Sequence, residues 1–296
     1  MNKKLYIIVG PTASGKTSLA ISLAEKLHTE IVSADSRQIF RQMNIGVARP
    51  SKQELQRVKH HLIAVWNIED TYNVKRYETE AINIIEKLFN QYDNLVLCGG
   101  SGLYIDAIIN GIDTMPDANQ EIKLELNKEL NTKGLESLLE ELKQRDFDYY
   151  SVVDKQNHRR IIRALEVIRT SGKPFSYFIN KEKVKRNFDI KIIGIYRNRA
   201  ELIDRINYRV DKMMNSGLLE EVKKIEPFRN LNAVNTIGYK ELFDYFDNKC
   251  SLDEAIEQIK IHTRQYAKRQ MTWFKRNKQT IWLDVTNNEF NINYII

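Results

Sequence analysis

The sequence predicts an α/β fold: a parallel sheet flanked by helices, carrying a mostly helical inserted domain. Three observations lead there. Residues Leu5 to Val9 form a short, continuous apolar run, as expected of a strand buried on both faces. Strand-like and helix-like segments alternate from there to about residue 115, the signature of a doubly wound sheet. The alternation then gives way to charged helical sequence before strands return near residue 188. A chain of 296 residues suits such a plan, with a core over 1–115 and 188–296 and an insertion over 116–187.

Taken in order, the first strand runs into "GPTASGKT" and then a helix, whose apolar Leu19, Ala20, Leu23, Ala24 and Leu27 recur at helical spacing. "EIVSADS" reads as a second strand ending in a polar turn, with a short helix expected near Ser36. "VKRYETEAINIIEKLFNQYD" is helical, and "NLVLCGGSGLYIDAIING" reads as strand, glycine turn and helix. The rhythm breaks at "GIDTMPDANQ", after which come the helical "EIKLELNKELNTKGLESLLEELKQRD" and "NHRRIIRALEVIRTSGKPFSYF". "FDIKIIGIYRN" restores the strand pattern. A helix over Ala200 to Ser216, the turn "NTIGYKELFDYF", a long helix from Leu252 to Lys275 and a last strand in "QTIWLDV" complete the core.

A hydrophobic fraction of 42% is enough for a sizeable core. The two cysteines, Cys98 and Cys250, have no metal-ligand spacing around them, which argues against zinc or a disulfide framework. The start "MNKKLYIIVG" has too short an apolar run for a signal peptide, and no run is long enough to span a membrane, so the expected location is the cytoplasm. The net charge of +7 is modest, so a nucleic-acid partner would have to meet local clusters.

Gly10, Gly15, Lys16 and Thr17 fit the pattern G-x-x-x-x-G-K-[ST] between a buried strand and a helix, an arrangement like that of P-loop NTPases. Converging backbone N–H groups and the helix dipole would hold a phosphate there. Lys16 would reach the outer phosphate, and Thr17 is placed to ligate Mg²⁺. Asp35 lies at the C-terminal end of the second strand, the edge where ligands bind in such sheets. It could help hold Mg²⁺, act as a general base, or N-cap the short helix expected near Ser36. Ser101, after Gly99-Gly100, could donate to a phosphate oxygen or leaving group, or cap the next helix. The strand "NLVLC" ends in glycines where an ATP-hydrolysing protein would place an Asp, which weakens a motor or switch reading.

Basic residues form two further groups. Gln258 to Lys278 contains seven Lys or Arg and no acid, with Lys260, Arg264 and Lys268 on one helix face and Ile259, Tyr266 and Trp273 on an expected buried stripe. His158, Arg159, Arg160 and Arg163 form the second group, in the insertion. Two basic elements beside a phosphate site suit a polyanion, read by shape and extruded bases.

The segments "GPTASGKT", "SADSRQIFRQMNIGVARP", "HHLIAV", "GGSGLY", "RRIIRALEV", "TIGYKEL" and "TRQYAKRQMTWFKR" resemble, in this order, those of tRNA dimethylallyltransferases. The resemblance runs from residue 7 to about 284, with no matching motif over about 117–150. It implies transfer of a dimethylallyl group from its diphosphate to N6 of adenosine 37, in tRNAs reading codons that start with U. The implied products are N6-dimethylallyladenosine and diphosphate. Diphosphate would be held by Gly10, Pro11, Thr12, Ala13, Ser14, Gly15, Lys16, Thr17 and Arg209, with Mg²⁺ at Thr17. Asp35 matches the family's catalytic carboxylate, and Ser101 falls where the family usually has Thr. The hydroxyl survives without the methyl that fixes its rotamer, so its role is expected with less preorganisation. The resemblance further implies tRNA contacts by Asp35, Ser36, Arg37, Gln38, Ser101, Arg159, Arg160, Arg163, Gly238, Tyr239, Lys240, Lys268, Arg269, Gln270, Trp273 and Lys275. The insertion would grip the anticodon stem, and the enzyme would act as a monomer without a membrane.

Two rival readings use the same loop. A small-molecule kinase would need ATP and an arginine-bearing lid, which "HRRIIR" could supply. A nucleotide-switched RNA-binding protein would need a metal-binding acid at a strand end and a group to position water, and neither is convincingly placed.

Overall fold

Alternate residues of β1 (Lys4–Val9) enter different cores, which is why its sequence shows no polar alternation. In the computed structural model, Leu5, Ile7 and Val9 join one hydrophobic cluster while Tyr6 and Ile8 join another. The structure describes residues 3–179, 184–286 and 295; the remaining ends of the expected core and residues 180–183 of the insertion lie outside the described residues. The chain divides into two compact units, Met1–Asn110 with Lys185–Ile296, and Gly111–Val184.

The first unit is built in the order β1, α1 (Lys16–Lys26), β2 (Ile31–Ser33), α2 (Lys52–Arg57), β3 (His60–His61), α3 (Val74–Phe89), β4 (Asn94–Cys98) and α4 (Gly102–Asn110). The chain leaves this unit there, and the second unit holds α5 (Gln120–Arg145), α6 (Phe147–Val152), α7 (His158–Ser171) and α8 (Phe175–Phe178). Back in the first unit follow β5 (Asp189–Tyr196), α9 (Arg199–Asn215), α10 (Leu218–Lys224), α11 (Tyr239–Phe246), α12 (Leu252–Phe274) and β6 (Ile281–Asp284). Among the described residues six strands pair in parallel in the order β3-β2-β4-β1-β5-β6. Helix α1 covers one sheet face through Ala20, Ile21, Leu23 and Ala24, while α3, α4 and α12 contribute Tyr77, Ile105 and Ile259 to the core on the other.

Several local expectations change. The second strand stops at Ser33, and residues 36–39 form turns in place of the short helix expected near Ser36. Asp35 explains this: its Oδ1 accepts from the Arg37 and Gln38 N–H groups at 2.9 and 3.2 Å, closing a side-chain turn that competes with a helix. The two-residue β3 and six-residue α2 carry too little periodicity to read, although α2 opens with a complete Ser51/Glu54 capping box. In the second unit Gly134 takes φ 80 and ψ 173, so α5 is two helical segments across a kink. Leu138, Leu142, Ile161, Leu165 and Ile168 form that unit's own core.

Candidate active site

The parallel sheet delivers three loops to one edge, those following β1, β2 and β4. The loop after β1 can turn sharply because Gly10 has φ 151, and a Cβ there would stand 2.5 Å from the Ile195 carbonyl oxygen. Gly15 precedes α1 in a left-handed conformation with no side-chain cap, so the first-turn N–H groups remain available to an anion. Ser14, fully buried, donates from Oγ to the Pro11 carbonyl at 2.8 Å, and Lys16 Nζ donates to the same oxygen at 2.6 Å. Burial pushes the Lys16 ammonium down to about 8, against attraction from Asp35.

The loops after β2 and β4 are clamped together. A Cβ on Gly99 would stand 2.1 Å from the Ala34 carbonyl oxygen, so only glycine permits this crossing. The Ser101 N–H then reaches the same carbonyl at 3.2 Å. Ser101 Oγ accepts the Ser36 N–H at 2.8 Å and lies 3.1 Å from Ser36 Oγ. The rotamer freedom expected from the missing methyl is thus restrained by Ser36. Asp35 caps a turn in place of the expected helix, through Oδ1 alone; Oδ2 has no hydrogen bond among the described residues. The cap and a chemical role are therefore compatible. The same carboxylate attracts Lys16 and Arg209, so all three share one electrostatic field.

Arginines brace the loop after β1 from outside. Arg209 Nη1 donates to Thr12 Oγ1 at 3.1 Å, and burial draws its pKa below the usual arginine value. Arg205 Nε donates to the Ala13 carbonyl at 2.8 Å and Arg197 Nε to the Ser14 carbonyl at 2.9 Å, with Glu201 pairing Arg197. Sequence reasoning passed over Arg197 and Arg205. Their available signals were an arginine directly after β5 and the four-residue spacing from Arg205 to Arg209, which puts both on one face of α9.

Other expected site residues have internal duties. Arg37 donates to the Asn232, Ala233 and Asn235 carbonyls, and Gln38 Nε2 to those of Val47 and Ala48. Tyr239 is fully buried with its hydroxyl on Glu221 at 2.7 Å, and Gly238 is also buried, so Lys240 alone of that turn is exposed. Gln270 is buried between the loops after β1 and β4. It accepts the Thr12 N–H at 2.7 Å, removing that group from the set free to meet an anion. Trp273 is only partly buried and donates to Asp106 at 3.0 Å; Tyr266 is likewise partly buried, leaving Ile259 as the fully buried member of the expected stripe. Lys268, Arg269 and Lys275 are exposed, whereas Lys260 pairs with Asp211 at 2.9 Å and Arg264 bonds Asn207. The basic face of α12 is therefore narrower than its sequence. In the helical unit, Arg159 and Arg160 are exposed, and Arg163 is partly tied to Glu166 and the Pro116 carbonyl.

No cluster of three His, Cys, Asp or Glu residues suited to a metal occurs among the described residues. The Thr17 hydroxyl is partly exposed and has no hydrogen bond among them, an oxygen donor fit for a hard cation shared with phosphate oxygens. No helix among the described residues is long and apolar enough to cross a membrane.

The family model described as IPP transferase matches residues 38–277. The chain is 47% identical over 292 residues to a tRNA dimethylallyltransferase of Christiangramia forsetii, covering 99% of this chain and 97% of that one. It is 43% identical to tRNA dimethylallyltransferase 1 of Bacteroides fragilis, covering 99% and 97%. Among solved structures, the full-length tRNA isopentenylpyrophosphate transferase from Bacillus halodurans superposes with a TM-score of 0.73 at 35% identity, covering 100% of this chain and 94% of that one. A eukaryotic dimethylallyltransferase acting on tRNA gives a TM-score of 0.81 at 27% identity, covering 96% and 74%. The P-loop NTPase-like sheet, the glycine-rich loop after β1 and near full-length likeness to these proteins agree: the chain belongs to the tRNA dimethylallyltransferase, or IPP transferase, family.

Proposed function

We propose that the protein transfers the dimethylallyl group of dimethylallyl diphosphate to N6 of adenosine 37 in tRNAs reading codons that start with U. The carrying observation is the placement of one carboxylate, Asp35, in the field of Lys16 and Arg209 beside an uncapped helix N-terminus. Such a site holds a polyanion on one side and accepts a proton on the other. The allylic C1–O bond breaks, a C1–N6 bond forms, diphosphate departs into the loop, and the N6 proton passes towards Asp35. Lys16 and the backbone N–H groups after Ser14 stabilise the departing charge, and Ser101 donates near the bridging oxygen once its proton turns from Ser36. Mg²⁺ held at Thr17 would further neutralise the diphosphate.

An anticodon-loop base must leave its stack to reach such a pocket, at roughly a few kcal/mol. The exposed Arg159 and Arg160, with Arg163, equip the helical unit to grip the anticodon stem, and Lys240, Lys268, Arg269 and Lys275 supply phosphate contacts on the core. The reading places a monomeric enzyme in the cytoplasm, with its substrate. Incubation with dimethylallyl diphosphate, Mg²⁺ and unmodified tRNA should add the mass of one isopentenyl group to adenosine 37. Absence of the adduct, with phosphoryl transfer from ATP to a small acceptor, would reject the assignment.

A further inference from the structure

The side-chain amide of Gln270, on α12, spans two loops that converge on the reacting centre. Its Oε1 accepts the Thr12 N–H at 2.7 Å, and its Nε2 donates to the Gly100 carbonyl at 2.9 Å. Only 6% of the residue is exposed. Thr12 belongs to the anion loop; Gly100 immediately precedes Ser101. The arrangement demands an acceptor at one end and a donor at the other, because the opposite orientation would set N–H against N–H and oxygen against oxygen. The fit is tight from the far side too: a Cβ on Gly100 would lie 2.4 Å from Nε2. Tyr266, one turn earlier on α12, also reaches the Gly100 carbonyl, at 3.4 Å.

We propose that Gln270 is a positioning residue that fixes the spacing between the diphosphate loop and the loop carrying Ser101. The inference rests on the prenyl-transfer reading of this site. Each end of the amide is engaged inside the protein and the residue is only 6% exposed, so Gln270 acts on the loops and not by touching tRNA. Its effect passes through the separation of leaving group and hydroxyl, where a displacement of about 1 Å costs about a hundredfold in rate.

The test compares wild type with Gln270→Met, Gly100→Ala and the double variant. Steady-state kcat and KM are measured for tRNA and dimethylallyl diphosphate, and the Kd of inorganic diphosphate with Mg²⁺ by calorimetry. Gln270→Met keeps the length of the side chain and removes both hydrogen bonds. It should lower kcat by about 10- to 100-fold and weaken diphosphate several-fold, while KM for tRNA stays within about twofold. Gly100→Ala drives a methyl onto Nε2 and should reproduce the defect with Gln270 in place. The double variant should be no worse than the more damaged single one, because both changes break one contact. A rise in tRNA KM at unchanged kcat, or single defects that multiply, overturns the inference. Should Gln270→Met not fold, Gly100→Ala alone carries the kcat and Kd comparison. Failure of wild type to prenylate tRNA rejects the functional reading instead, and the diphosphate affinities still decide whether the brace exists.

Discussion

Replacing Lys16 by Met should make the free protein more stable while destroying its grip on diphosphate. Burial draws this ammonium from 10.5 down to about 8. At about 1.4 kcal/mol per pH unit, the native state carries on the order of 3 kcal/mol of cost wherever Lys16 is protonated. The substitution orphans little, because the Pro11 carbonyl still accepts the Ser14 N–H at 3.3 Å and the Ser14 hydroxyl at 2.8 Å. Between about 8 and 10.5 the unfolded chain keeps the lysine proton that the native state has lost, so wild-type stability rises with pH across that window. The Met variant lacks this rise. Denaturant titrations should show its advantage as about 3 kcal/mol near pH 7, shrinking to about 1 kcal/mol near pH 10. Calorimetry with dimethylallyl diphosphate should detect no binding to the variant. An unchanged advantage at both pH values, or none at pH 7, would refute a lysine held in the site at a desolvation cost.

Asp35→Asn retains an oxygen that can accept from Arg37 and Gln38, so stability should change little while turnover falls by orders of magnitude; Asp35→Ala should lose about 1 kcal/mol more in chemical denaturation through the missing cap. Asparagine turnover near wild type would reduce Asp35 to a structural role. Ser101→Thr should keep single-turnover rates close to wild type, whereas Ser101→Ala strands the Ser36 N–H, costing about 1 kcal/mol of stability and a marked loss of rate. Gly99→Ala meets backbone atoms of Ala34 at 2.1 and 2.3 Å, which cannot swing aside, and should cost about 3 kcal/mol or more by denaturant midpoint.

The parallel core was readable because β1 and β4 are buried on both faces and their apolar runs are unbroken. The loop between β1 and α1 was readable because its glycines and Lys16 stand at a fixed local spacing. What the sequence concealed depends on partners distant along the chain. Arg205 meets Ala13 across 192 positions and Gln270 meets Thr12 across 258, contacts that no periodicity marks. Tyr239 and Gln270 sit within motifs that suggested a surface, yet their polar ends are spent on Glu221 and on two loops. Of the seven cations between Gln258 and Lys278, Lys260 and Arg264 looked free because Asp211 and Asn207, which they meet, lie far away in the chain.

Sequence alone determined the sheet, the sharp loop between β1 and α1 and, through ordered motifs, the family. Those features rest on local spacing and on the burial each strand demands. The tertiary structure decided which polar groups remain available. Among the described residues it left the Thr17 hydroxyl and one Asp35 oxygen without partners, while it committed Arg37, Gln38, Tyr239 and Gln270 to the scaffold. The reason is physical: a buried polar group must find a partner wherever the fold supplies one, and only the assembled sheet edge brings those partners within hydrogen-bonding distance.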